Sequence, residues 1–116
     1  MQIGEAVRKV SDIVGTGFEA KKIEGLVREL DMRAQIDLHG IRAGEAVCGE
    51  ELVIPEPYDR AYIYFASARV HFEREEYEIY NNNYERFEEL YSTYARWYRR
   101  TNGSAGKGER RIRGLW

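Results

Sequence analysis

The residues best able to do chemistry here are two histidines, a cysteine and many glutamates, and none has the spacing of a catalytic or metal site. Neither His39 nor His71 completes a Glu-x-x-His pattern, which places two metal ligands on one helix face. Cys48 stands alone, which excludes an internal disulfide and a cysteine-based zinc site. A cysteine nucleophile also needs a nearby base, and none is evident. We predict no catalytic residue, no metal ligand and no bound cofactor.

Nucleic acid binding is the stronger alternative. Gly15-Thr16-Gly17 lacks the remaining glycine and the preceding strand of a phosphate loop. Tyrosines and arginines alternate after residue 75, a mixture that can stack on bases and neutralise phosphates. However, the tyrosines recur at a spacing typical of a buried seam, and glutamates crowd the start of this stretch. Only segment 107–113 has the positive charge needed for phosphate contacts. A small DNA-binding or regulatory module that uses the basic C-terminus therefore remains an alternative function.

The longest pattern in the chain is an aromatic stripe within residues 75–101. Its members alternate at spacings of three and four, which predicts one face of an amphipathic helix about seven turns, or about 40 Å, long. Six of the seven members are tyrosines, whose hydroxyls need a partner or water. The stripe consists of Tyr77, Tyr80, Tyr84, Phe87, Tyr91, Tyr94 and Tyr98.

Three further helices precede the stripe. Apolar periodicity predicts the first over 3–14, closed by glycines, and the second over 19–37. Thr16 is placed to cap the second helix, with Glu19 completing a capping box. The third is predicted over 57–72, with its proline at or near the first helical position.

The connections between these helices are of two kinds. Residues 39–56 hold three glycines and no sustained period, which predicts a long loop that contacts a neighbour. The aromatic phase slips by one residue across 73–75, which predicts a tight turn and an antiparallel hairpin of the last two helices. Because the third helix is shorter than the stripe, we expect it to cover Tyr77 to about Tyr91. Tyr94, Trp97 and Tyr98 would then be left to the first hairpin or to another subunit.

Length and composition indicate one all-α domain. A chain of 116 residues with mean hydropathy −0.64 predicts a small bundle of about four helices over 1–101 and a flexible basic tail over 102–116. No run approaches 18 apolar residues and the start has no signal-peptide core, so we expect a soluble chain made in the cytoplasm, without membrane partners. Glutamates dominate the predicted hairpin turn, and arginines and lysine dominate the other end, an arrangement suited to assembly.

Several segments together resemble the small helical head–tail connector (adaptor) proteins of tailed phages and prophages. The most distinctive is residues 52–59, LVIPEPYD, followed by Tyr62-Ile63-Tyr64. The resemblance continues through Tyr80-Asn81-Asn82 and the closing YARWYRRT of 94–101, with weaker matches at Ile3-Gly4-Glu5 and Leu30-Asp31. In all it covers most of residues 3–101.

This resemblance implies a virion structural protein and no enzyme. Such connectors form a ring beneath the portal protein, extend the channel through which genomic DNA passes without sequence recognition, and dock the next head-completion or tail-side protein. The expected location is the virion, and the host cytoplasm during assembly. On this interpretation we predict interface residues in the loop, at the end of the last helix and in the tail: Leu52, Val53, Ile54, Tyr94, Trp97, Tyr98, Arg110, Arg111, Arg113, Leu115 and Trp116.

Overall fold

Four α-helices form in the order that the periodicity predicts. The computed structural model describes residues 1–103, and the helices named here are those of that part of the chain. The helices are α1 (Ile3–Val14), α2 (Ala20–Asp37), α3 (Arg60–Glu73) and α4 (Tyr77–Tyr98). The predicted all-α bundle with a long C-terminal helical hairpin is confirmed. None of these helices has both the length and the apolar character needed to span a membrane.

Helix α3 is the centre of the bundle, because α1, α2 and α4 all pack against it. Nine of its fourteen residues are buried, as expected for a helix that is surrounded on most sides. Ala61, Ala66 and Ala68 are fully buried. Their small side chains let neighbouring helices approach closely. Phe65 of α3 packs on Phe87 of α4, with ring centroids 5.1 Å apart, in the middle of the hairpin.

The predicted turn between α3 and α4 is confirmed, and it is a Schellman motif. Glu75 has the left-handed conformation (φ 62°). Its N–H donates to the Phe72 carbonyl at 3.0 Å, and the Glu76 N–H donates to the His71 carbonyl at 2.9 Å. These two bonds satisfy carbonyls at the end of α3 that have no partner within the helix. The one-residue slip in aromatic phase therefore marks a true reversal of the chain.

Arg74 connects this turn to the first helical hairpin. Its guanidinium donates to the Val14 carbonyl at 2.7 Å and to the Thr16 carbonyl at 3.0 Å. Both acceptors lie at or just beyond the end of α1, where carbonyls lack partners within the helix. The turn is thereby held against the α1–α2 connection.

One predicted helix cap and one predicted helix start are wrong. Helix α2 begins at Ala20 with an extended Glu19 before it and no side-chain cap, so the Thr16 capping box does not form. Helix α3 begins at Arg60, three residues after Pro57, because the chain first makes a turn in which the Tyr58 N–H donates to the Pro55 carbonyl at 2.8 Å. Each prediction rested on local sequence preference alone.

The last helix extends slightly beyond its predicted end. A π-helical turn, Arg99–Gly103, follows α4, so Asn102 continues the helix rather than starting a tail. The Asn102 side-chain amide donates to the Tyr98 carbonyl at 3.1 Å. Most of the predicted flexible basic tail, 104–116, lies outside the described residues.

Replacing Glu75 with glycine should stabilise the protein. A non-glycine residue at φ 62° costs about 1 kcal/mol that glycine avoids. We expect urea denaturation to show a gain of up to about 1 kcal/mol for Glu75→Gly. The matched control, Glu73→Gly, changes a residue inside α3 and should lose up to about 1 kcal/mol. Equal losses in the two variants would contradict the left-handed assignment.

Candidate interaction site

The most constrained feature of the molecule is a buried carboxylate. Asp31 of α2 is fully inaccessible to solvent. Its Oδ1 accepts hydrogen bonds from the Val53 N–H at 2.8 Å and from the Tyr62 hydroxyl at 2.6 Å. Its Oδ2 accepts from Gln35 Nε2 at 3.1 Å. The Tyr62 oxygen in turn accepts from the Ile54 N–H at 2.9 Å. One carboxylate therefore joins α2, α3 and the loop between them.

A second set of bonds fixes the same loop to α2, about one helical turn before and after Asp31. The Gln35 side chain pairs with the backbone of Val47, donating to its carbonyl at 2.8 Å and accepting from its N–H at 3.2 Å. The Ile41 N–H donates to the Gln35 carbonyl at 3.0 Å. Arg28 donates to the Cys48 carbonyl at 2.9 Å. Side chains of α2 thus form hydrogen bonds with backbone groups of the loop. In a helix, the backbone itself would provide these partners.

The loop also pairs with the N-terminal residues. The Ile3 N–H donates to the Glu50 carbonyl at 2.8 Å, and the Leu52 N–H donates to the Met1 carbonyl at 3.0 Å. Gln2 and Glu51 form an isolated antiparallel bridge between these bonds. Together with the α2 contacts, this pairing holds Leu52 and Ile54 in the core at 3% and 0% exposure.

The environment of Tyr62 favours its neutral form. Burial raises the pKa of the Tyr62 hydroxyl, and the hydrogen bond to Asp31 raises it further. The hydroxyl therefore keeps its proton and remains a donor to the carboxylate. A buried charge is tolerated only when it is hydrogen-bonded, and Asp31 has three donors.

An aromatic cluster closes the C-terminal end of α4. The ring of His39 stacks on that of Tyr98 at 4.4 Å, and its Nε2 forms a 2.6 Å hydrogen bond with the Tyr94 hydroxyl. Tyr58, just before α3, packs against Tyr94 at 5.5 Å and Trp97 at 5.7 Å. Burial raises the pKa of Tyr94 to about 12 and lowers that of His39. A neutral imidazole that carries its proton on Nδ1 can therefore accept, at Nε2, a hydrogen bond from the Tyr94 hydroxyl.

The coverage of the aromatic stripe differs from the expected pattern at its two ends. Tyr94 is 1% exposed, whereas Tyr77 at the hairpin turn is 50% exposed. His39 after α2 and Tyr58 before α3 cover the far end of α4, although α3 itself does not extend that far. Tyr94 is therefore covered from within the chain, by His39 just after the first hairpin, and only the alternative that another subunit covers it is wrong.

The predicted interface residues fall into three groups. Leu52, Ile54 and Tyr94 are buried in the core of the chain itself, so they cannot contact a partner while it is folded, and we withdraw them. Val53, Trp97 and Tyr98 are half-buried and retain accessible surface. The others lie outside the described residues: Arg110, Arg111, Arg113, Leu115 and Trp116.

Sequence reasoning missed the residues that fix the loop. Asp31 and Gln35 are four apart and share a helix face with Val27 and Ala34, which are buried. The signal in the sequence was that two polar residues occupy positions on an otherwise apolar face of a predicted helix. Their partners, Val47 and Val53, could not be identified, because a loop without periodicity has no predictable register.

No catalytic arrangement emerges from these contacts. Within residues 1–103, no group of histidine, cysteine and acidic side chains could hold a metal ion. His71 instead pairs with Glu76 across the hairpin turn at 2.7 Å. Comparison with protein-family models, curated proteins and solved structures finds no significant match. The site is therefore interpreted from its geometry alone.

Substituting Asp31 should reveal the importance of the buried carboxylate. Asp31→Asn places an amide against Gln35 Nε2, so the Gln35 side chain must flip and lose its pairing with Val47; we expect a loss of about 1–3 kcal/mol. Asp31→Ala leaves several buried donors without a partner and should cost about 3 kcal/mol or more. The control Asp37→Asn, exposed on the same helix, should change stability by less than about 0.5 kcal/mol. Similar urea midpoints for all variants would contradict this account.

The His39 contact predicts a pH dependence. Because burial lowers the His39 pKa in the folded state, its contribution to stability is present above about pH 6.5 and is lost as pH falls through the folded-state pKa. His39→Gln removes this titration while keeping a hydrogen-bonding side chain. The difference in unfolding free energy between wild type and variant should shrink on acidification from pH 7 to 5. A difference independent of pH would exclude a buried, neutral His39.

Cys48 should react slowly with alkylating agents. Burial raises the pKa of its thiol from 9.0 to about 11, so at pH 8 the folded chain holds about a hundredfold less thiolate, the reactive form. We expect iodoacetamide to modify native protein at least about tenfold more slowly than urea-unfolded protein. Equal rates would show that the loop opens readily.

Proposed function

We propose that this chain is a head–tail connector (adaptor) protein of a tailed phage or prophage. It acts through protein–protein contacts as a subunit of a ring beneath the portal, and it performs no catalysis. The ring extends the DNA channel and presents a surface to the next tail-side protein.

The observation that carries this proposal is the convergence of the connector-like segments. Three of these segments, Leu30-Asp31, residues 52–62 and residues 94–101, are far apart in sequence, yet they meet in the fold. Asp31 accepts from the Val53 backbone in the LVIPEPYD segment and from Tyr62 just after it. Tyr58 of the same segment packs on Tyr94 in the closing segment. Residues of these three segments therefore help to fix the loop to the bundle.

Shape and charge fit an assembly subunit. The described chain measures 52 × 28 × 23 Å, an elongated form able to pack beside copies of itself. Exposed glutamates surround the α3–α4 turn, while Arg96 and Arg99 are exposed at the other end of α4. Opposite poles of this kind orient association between subunits.

Light-scattering mass and negative-stain microscopy at high protein concentration test the proposal. They should be applied to the protein alone and to its mixture with the portal protein of the same genome. Rings with a central hole, free or seated on the portal, are the expected result. The mixture is needed because a ring subunit can be monomeric until the portal provides a template.

The competing function gives a different result. A DNA-binding module would remain monomeric in both samples and would bind duplex DNA with an affinity that falls steeply with salt. That outcome would contradict the connector proposal. Fluorescence anisotropy with a labelled duplex at several salt concentrations measures it directly.

A further inference from the structure

The hairpin tip, residues 72–80, exposes an aromatic patch that the bundle leaves uncovered. Phe72 and Tyr77 are each 50% exposed, and Ile79 is 45% exposed. The rings nevertheless hold one another in place. The ring centroid of Phe72 lies 5.5 Å from that of Tyr77 and 5.1 Å from that of Tyr80, and both pairs pack edge to face. The Schellman turn fixes the backbone between them. The patch is therefore apolar and preorganised, as binding surfaces tend to be.

The rim of this patch is acidic. Four glutamates lie within the tip, and all are exposed: Glu73, Glu75, Glu76 and Glu78. The sole arginine of the tip, Arg74, already donates to two carbonyls beyond α1. Glutamates beside aromatic rings favour a partner with arginine or lysine side chains and neighbouring apolar residues, because a cation can contact a ring face while it pairs with a carboxylate.

The sequence of this chain contains such a partner segment. Residues 107–113, KGERRIR, carry four cations against one acid and include Ile112. The charge complements that of the tip.

Chain length decides which copy can supply this segment. Tyr77 lies 26 residues before Gly103 along α4 and the turn that follows it, about 39 Å at 1.5 Å per residue. Arg110 and Arg111 lie at most eight residues beyond Gly103, a reach of about 28 Å at full extension. At full extension their Cα atoms stop about 11 Å short of Tyr77 of their own chain, which favours a second copy as the source of the segment.

We propose that the hairpin tip of one copy binds the basic segment 107–113 of a second copy. The aromatic patch provides apolar contact and cation–π attraction, and the glutamate rim selects the cationic segment. This inference deepens the proposed function by specifying a contact between subunits. It is nevertheless tested on the protein alone, without a portal.

A charge-swap experiment on the full chain tests the contact. One variant, Glu73→Lys/Glu78→Lys, reverses the rim; the other, Arg110→Glu/Arg111→Glu, reverses the segment. Each alone should associate at least about tenfold more weakly than wild type in sedimentation velocity, because like charges then meet. Their equimolar mixture should recover association, since each reversed surface finds an opposite charge on the other chain.

Matched controls separate this contact from general charge and surface effects. Glu85→Lys/Glu89→Lys makes the same charge change on α4 away from the tip and should associate as wild type does. Tyr77→Ala should weaken association, whereas Val47→Ala, at a residue 73% exposed outside the tip, should not. Circular dichroism checks that every variant is folded.

The outcomes distinguish this inference from the connector proposal. A wild-type chain that stays monomeric at all concentrations, or a mixture of the two charge variants that fails to associate, overturns the tip contact. If rings still form on the portal, the connector function stands without it. If the tip contact is present but no ring forms with or without the portal, the tip inference holds and the connector function fails.

Discussion

The fold depends on hydrogen bonds from a buried carboxylate and a neighbouring amide to a loop that has almost no secondary structure of its own. Buried backbone groups must be paired, and a helical bundle gives a connecting loop few backbone partners. Asp31 and Gln35 supply them from one face of α2, by accepting from Val53 and by pairing with Val47. Tyr62 extends the same network to α3. Together with the backbone pairing to the N-terminal residues, this network fixes the position of the loop between α2 and α3.

The fixed loop determines which end of the aromatic helix is available to partners. It positions the chain before α3, so that Tyr58 packs against Tyr94, while His39 stacks against Tyr98 from the end of α2. The C-terminal end of α4 is therefore closed within the subunit. At the opposite end Tyr77 is half-exposed, and the exposed rings lie among glutamates. This asymmetry leaves one acidic surface with exposed aromatic rings at the hairpin tip.

The helices and the hairpin turn could be predicted from the sequence because both depend on the local spacing of apolar and aromatic residues. The phase slip at residues 73–75 was enough to place the Schellman turn around Glu75. The Asp31 network could not be predicted, because Val53 and Tyr62 are 22 and 31 residues away from Asp31, and the loop gives no register. The coverage at the two ends of the stripe could not be predicted for the same reason, because it depends on the residues that flank α3 and not on the length of α3 alone.

Amide hydrogen exchange at Val53 and Ile54 tests the central claim most directly. Both residues lie outside any helix, yet their N–H groups donate to Asp31 and Tyr62 within the core. The account predicts that they exchange as slowly as the core amides of α3, through global unfolding. Exchange as fast as that of the exposed loop residues Gly44 and Gly49 would show that the buried carboxylate does not hold the loop.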